Sequence, residues 1–126
     1  MTKYLTIEEI LRLHFQVIED YGGSHGVRDE DRIQSVASAP KQIVFGVEQY
    51  KDIITKSAVY LHNIIGDHPF IDGNKRTAIT ACGIFVKRNG LLLVSSPTKL
   101  EDVVVLIAVG RLNIKQITEW LKKETR

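Results

Sequence analysis

The chain has 126 residues, 44% hydrophobic, 25% charged and 7% aromatic, with a formal net charge of +2. That length and apolar content fit one domain spanning residues 1–126 whose core needs no disulfide or structural metal, and they exclude disorder, collagen and coiled coil. Seventeen basic against fifteen acidic residues give no argument for nucleic acid, and the single Cys82 rules out an intrachain disulfide and a cysteine-based zinc site.

No apolar run approaches the roughly 18 residues of a membrane helix, and the N-terminus reaches Glu8-Glu9 too soon for a signal peptide. A soluble, cytoplasmic protein with no membrane partner is expected. The first helix begins at Thr6, where Thr6 and Glu9 have capping-box spacing and Ile7, Ile10, Leu11, Ile18 and Tyr21 recur at helical intervals until Gly22-Gly23. A second runs from about Asp29 to Ala39, with Ile33, Val36 and Ala37 on one face and acidic residues in its first turn, where the helix dipole favours them. Pro40 stops it. The segment Lys41 to Tyr50, containing Ile43-Val44-Phe45-Gly46-Val47, reads as an extended or hairpin-like excursion.

From Asp52 to Ile65 and from Asn74 to Arg88 the apolar residues go most of the way round, so these two helices are buried and form the centre of the fold. Leu91 to Val94 reads as a short strand. Ser96-Pro97 then supplies an N-cap with proline at the first helical position. The β-branched run Val103 to Val109 follows that start signal and precedes Gly110, which makes it helix rather than strand. A last helix opens near Asn113, with Gln116 in capping-box register, and carries Ile114, Ile117, Trp120 and Leu121. The expected fold class is all-α, a compact bundle of five or six helices with a small β-hairpin flap.

One segment departs from this pattern. Between the central helices, Gly66-Asp67-His68-Pro69-Phe70-Ile71-Asp72-Gly73-Asn74-Lys75-Arg76-Thr77 packs charge between the most apolar parts of the chain. Pro69 and Gly73 break regular helix, so this is a loop entering a helix N-terminus near Asn74. Such a terminus presents unpaired N–H groups and attracts anions, whereas cations in the first turn cost a few tenths to about 1 kcal/mol. Lys75 and Arg76 therefore imply an anion, and phosphate suits both a guanidinium fork and an ammonium. Asp72 would repel that phosphate unless Mg²⁺ lay between them. His68 is of the residue type that takes a proton from an attacking hydroxyl near pH 7. Phe70 reads as an apolar anchor for the loop, and Gly73 as a conformation or a close approach that a side chain would block. Taken singly, Asp72 is an N-cap, His68 a hydrogen-bonded loop histidine, and Lys75 with Arg76 a solvated face. Taken together those readings leave the cluster without a purpose.

The string His68-Pro69-Phe70-Ile71-Asp72-Gly73-Asn74-Lys75-Arg76-Thr77-Ala78 resembles the signature of the Fic/Doc family, specifically its death-on-curing (Doc) toxin branch. Tyr21-Gly22-Gly23, Gly26-Val27-Arg28-Asp29, Asn89-Gly90 and Trp120-Leu121 also stand where Doc-like proteins have them. The resemblance implies a small helical fold that transfers part of ATP to a protein hydroxyl, with His68 as base, Asp72 on Mg²⁺, and Gly73, Asn74, Lys75 and Arg76 on phosphates. Lys75 replaces a glycine of the general Fic pattern and Ile79 replaces its later arginine, both as in the Doc branch. There the resemblance implies phosphorylation of a threonine on the translation elongation factor that delivers aminoacyl-tRNA, with AMP transfer as the alternative. A second alternative is a non-catalytic module that binds an antitoxin or nucleic acid.

Some Fic proteins carry an inhibitory helix marked by Ser or Thr with Glu four residues later, and no Ser or Thr here has Glu at that offset. Inhibition is therefore expected in trans, from a Phd-like antitoxin. Ile43, Val44 and Phe45 lie where Fic proteins align the target chain by strand pairing, although a plain packed loop explains them about equally well. The run Gly22-Gly23-Ser24-His25-Gly26 lacks a preceding strand and the spacing of a phosphate loop, and reads as a helix C-cap and turn. His14 and His62 read as packed or hydrogen-bonded, Cys82 as core, and Trp120 as core or groove lining.

Overall fold

The computed structural model describes residues 1–126. It contains six α-helices: α1 (Ile7–Tyr21), α2 (Glu30–Ser38), α3 (Ile53–Asp67), α4 (Asn74–Arg88), α5 (Pro97–Ala108) and α6 (Ile114–Glu124). Strands β1 (Ile43–Val44) and β2 (Val47–Glu48) form a two-stranded antiparallel sheet, with Val44 opposite Val47 and Ile43 opposite Glu48. The expected all-α bundle with a small hairpin is what the chain forms. No helix is long and apolar enough to cross a membrane.

The helix starts follow from side chains that satisfy orphan N–H groups. Thr6 and Glu9 form a reciprocal capping box on α1, and Asn113 and Gln116 form one on α6. Asp29, Asp52 and Ser96 cap α2, α3 and α5, the last with Pro97 in the first turn. Pro40 sits in a single 3₁₀ turn, Ala39–Lys41, because it has no N–H with which to continue the ladder of α2. The expected strand at Leu91 to Val94 reduces to one bridge, Leu93 with Thr125. Its partner is only the last few residues of the chain, which also exchange backbone hydrogen bonds between Leu92 and Arg126 and from Val94 to Glu124. That is too short a ladder for a sheet.

Helix α3 occupies the centre and packs most extensively on α4 and then α6, while α1 crosses α4. Ala58, Tyr60, Leu61, Ile64 and Ile65 of α3 meet Ala78, Ala81, Cys82, Phe85 and Val86 of α4, and all ten are buried. Each large apolar side chain so placed contributes about 1.5–3 kcal/mol. The Tyr60 hydroxyl accepts the Leu5 N–H at 3.1 Å, and burial pushes its pKa up to about 12. Burial likewise pushes the Cys82 thiol up to about 12, so Cys82 is an inert core residue. Arg88 at the end of α4 pairs with Glu9 at 2.5 Å and ties it to the start of α1. His62 bonds Asn63 through Nδ1 at 2.9 Å. Half-buried Trp120 lines a surface groove with Leu106 and Leu112.

Candidate active site

The polar loop lies between the two central helices, as its place in the sequence requires. Helix α3 extends two residues beyond Ile65, to Asp67, and His68 closes it in the left-handed region at φ 48° and ψ 58°. For a residue with a side chain this conformation costs on the order of 1–2 kcal/mol, so surrounding contacts must hold it. The loop then pairs with the α1–α2 connection. Pro69 O accepts the N–H groups of Arg28 at 2.8 Å and Asp29 at 3.2 Å, Phe70 bridges Val27, and Ile71 N–H donates to Gly26 O at 3.0 Å.

Phe70 is 1% exposed and anchors the loop as expected. Its ring lies face to face on the His14 imidazole, with centroids 3.7 Å apart and planes 2° from parallel. His14 Nε2 donates to Asp72 O at 2.8 Å, since a carbonyl only accepts. Burial lowers the His14 pKa against an opposing contribution from that bond, which keeps the ring neutral near pH 7.

Asn74 is buried, and its amide serves the loop more than any ligand. Oδ1 accepts Phe70 N–H at 3.0 Å, while Nδ2 donates to Phe70 O at 2.9 Å and faces His68 Nδ1 at 3.3 Å. Only its backbone N–H, at the start of α4, is placed for an anion. Gly73 takes φ +75° as the N-cap of α4, and a Cβ there would meet Ile18 Cδ1 at 2.9 Å. Backbone conformation and tight packing on α1 therefore explain this glycine.

Asp72 does not cap α4, which has no side-chain cap and no acidic residue in its first turn. Its carboxylate turns to the α1–α2 connection, where Oδ2 accepts Ser24 N–H at 3.1 Å, and Oδ1 accepts Gly73 N–H at 2.9 Å. A Cβ on Gly23, at φ +115°, would come within 2.5 Å of Asp72 Oδ2. The glycine-rich turn is a C-cap at Gly22, as expected, and also a cradle for this carboxylate. Each oxygen keeps lone pairs free. No group of three or more His, Cys, Asp or Glu side chains is placed to hold a metal by itself. One exposed carboxylate beside an anion-attracting helix start fits Mg²⁺ in its usual setting, bound through one or two carboxylates together with phosphate oxygens and water.

Lys75 and Arg76 are exposed, and neither is in an ion pair. The Arg76 guanidinium lies over the Tyr21 ring, 3.8 Å from its centroid. His68, Asp72, Gly73, Asn74, Lys75 and Arg76 together line one open cavity of about 650 Å³, which Ile79 and Leu100, Glu101, Val104 and Val105 of α5 also line. A proton acceptor, a carboxylate, an uncapped helix N-terminus and two free cations thus converge on a space of ligand size. The three candidate flap residues lie elsewhere, on the hairpin. Phe45 and Gly46 form its turn with φ of 50° and 77°, and the Phe45 side chain is fully exposed. Positive φ at both central residues marks the turn that matches strand twist.

His14 is both packed and hydrogen-bonded, as expected, but the sequence does not show that its partners are in the loop, nor does it give Ser24 and Arg28 an individual role. All three hold the loop from positions 40 to 58 residues away. The Gly-Gly turn and the acceptance of the Gly26-Val27-Arg28-Asp29 segment into the family pattern were the available signals.

The Fic/DOC family model matches residues 4–86, which contain α1 to most of α4 and the whole polar loop. The chain is 31% identical over 121 residues to Protein kinase doc of Escherichia phage P1, covering 96% of this chain and 94% of that protein. It is 34% identical over 123 residues to Toxin Doc of Mycolicibacterium smegmatis, covering 96% and 92%. With the family model spanning well over half of it and two relatives matching almost end to end, the chain belongs to the Fic/DOC family.

Proposed function

We propose that the chain is a Doc-like toxin of a toxin–antitoxin system that transfers the γ-phosphate of ATP to a threonine hydroxyl of a translation elongation factor in the cytoplasm. A Phd-like antitoxin would restrain it in trans. The observation that carries the reading is the convergence of His68, Asp72 and the uncapped, doubly cationic start of α4 on one cavity. The names of the two relatives, a protein kinase and a toxin, support the same choice.

In this reading the triphosphate lies against the N–H groups of α4's first turn, with Lys75 and Arg76 on its oxygens. Asp72 would hold Mg²⁺, which supplies charge neutralisation on the phosphates. The target hydroxyl oxygen attacks the γ-phosphorus, the bond to the β–γ bridging oxygen breaks, and ADP leaves with that electron pair. The hydroxyl proton passes to His68. Nδ1 accepts from Asn74 in the resting geometry, which puts the neutral ring's proton on Nε2. Uptake at Nε2 therefore requires the other tautomer, reached when the 3.3 Å contact to Asn74 yields; it is the longest of that amide's three contacts.

The test is mass spectrometry of purified elongation factor and of lysate after incubation with the protein, ATP and Mg²⁺, beside His68→Ala. One added phosphate on a threonine, absent with the variant, is expected. An added AMP would replace this reading with nucleotidyl transfer. Growth arrest that survives His68→Ala would mean a binding module.

A further inference from the structure

Arg28 lies outside the polar loop, yet it holds three consecutive carbonyls of that loop. Its Nε donates to His68 O at 2.6 Å, its Nη2 to Asp67 O at 2.7 Å, and its backbone N–H to Pro69 O at 2.8 Å. A helix leaves its last carbonyls without partners, and a cation near them is favoured. In α1 and α4 the chain's own cap residues, Gly22 and Asn89, turn an N–H back onto those carbonyls. At the end of α3 the His68 cap has no such bond, and the guanidinium fork stands in its place. Arg32 pairs with the Asp67 carboxylate at 3.5 Å and with Asp29 at 3.7 Å, which directs that carboxylate to Arg32 and leaves the Arg28 fork on the two carbonyls.

We propose that Arg28 is the positioning residue for His68. It fixes the peptide planes on either side of the left-handed His68 backbone and so aims the imidazole at the cavity. The proposal rests on the reading of His68 as the base. Arg28 does not itself line the cavity, and it meets His68 only at the backbone carbonyl, away from the imidazole. Two parallel donors in a rigid fork are what the geometry uses, and a lysine ammonium supplies one movable contact instead.

The test compares wild type, Arg28→Lys and Arg28→Ala as full chains, with thermal melts to establish that each is folded. Two readouts are taken: kcat and KM for phosphoryl transfer, and the NMR resonances of the His68 backbone amide and imidazole. Arg28→Ala is expected to lower kcat about 100-fold, as a misplaced catalytic group does, and Arg28→Lys about ten-fold. KM for ATP should stay within about two-fold, because the phosphate-binding start of α4 is untouched. The His68 resonances should move in both variants while those of Lys75 and Arg76 stay. An unchanged kcat in a folded variant, a loss confined to KM, or unmoved His68 resonances would overturn the positioning role. Full transfer by His68→Ala would instead overturn the base assignment, and moved resonances would then show Arg28 setting the His68 backbone without a catalytic consequence.

Discussion

The loop from His68 to Gly73 and the hairpin from Ile43 to Glu48 are both irregular in a helical chain, and they are built by opposite means. The loop is fastened from α1 by His14, from the α1–α2 connection by Ser24, Gly26, Arg28 and Asp29, and from α4 by Asn74. The hairpin has two ladder pairs and, beneath it, the buried Lys56, whose ammonium donates to Tyr50 O and reaches Glu48 at 3.4 Å. Its tip is bare: Ile43, Phe45 and Val47 are all more than half exposed. Reacting groups must be held within fractions of an ångström, which demands many bonds from a rigid frame. A surface that meets a partner chain needs the reverse, apolar groups and strand edges that its own protein does not cover.

Four substitutions probe the difference between the two segments. Asn74→Ala should have the largest effect, since it leaves both the N–H and the C=O of buried Phe70 unpaired, at about 1–3 kcal/mol each. Urea unfolding should show a loss of about 2–6 kcal/mol. A loss under about 0.5 kcal/mol, within the scatter of surface changes, would mean that the loop is not held by this amide.

Lys56→Met keeps the buried stem but strands the Tyr50 carbonyl, for about 1–3 kcal/mol. Hydrogen exchange should accelerate at Val44 and Val47 and stay unchanged at Phe70 and Ile71. Equal acceleration in both segments would show that the two are not independently built.

Glu9 anchors the frame that both segments share. Its hydrogen bond to Arg88, with help from the Thr6 N–H, holds its pKa at about 2 against an ordinary 4.5. Because the folded value is the lower one, its contribution is complete above about pH 4.5 and is lost as pH falls towards 2. The gap in thermal midpoint between wild type and Glu9→Gln should therefore close over that interval, and a gap independent of pH would contradict the pairing. Thr77→Val should matter least. The Thr77 hydroxyl is buried without a partner, so the change is expected to be neutral or stabilising by up to about 1 kcal/mol. Destabilisation in the same melts would show that this hydroxyl has a partner after all.

How much of this was legible in the sequence depends on range. Signals that act within four residues are legible: Thr6 with Glu9, Asn113 with Gln116, and Ser96 before Pro97; the excursion after Pro40 reads as extended or hairpin-like, and only the fold places its turn at Phe45-Gly46. The conjunction of His68, Asp72, Lys75 and Arg76 was equally local and marked the cavity. What escaped were partners far along the chain. A lone histidine in an apolar helix gives no sign that it stacks on Phe70 and bonds Asp72, and Arg28 in a turn gives no sign that it caps a helix 40 residues on. Asn74 reads as a ligand-facing residue until its amide is seen bonding Phe70. The strand expected at Leu91 to Val94 depended on a partner whose length only the fold determines.

In the proposed reaction His68 takes the proton while the γ-phosphoryl group, not the nucleotidyl group, moves. Parallel reactions with γ-labelled and α-labelled ATP, wild type against His68→Ala, on purified elongation factor test it most directly. Label is expected on the target from γ-labelled ATP alone, falling at least about 100-fold in the variant. Label arriving from the α-position, or transfer undiminished by His68→Ala, would contradict it.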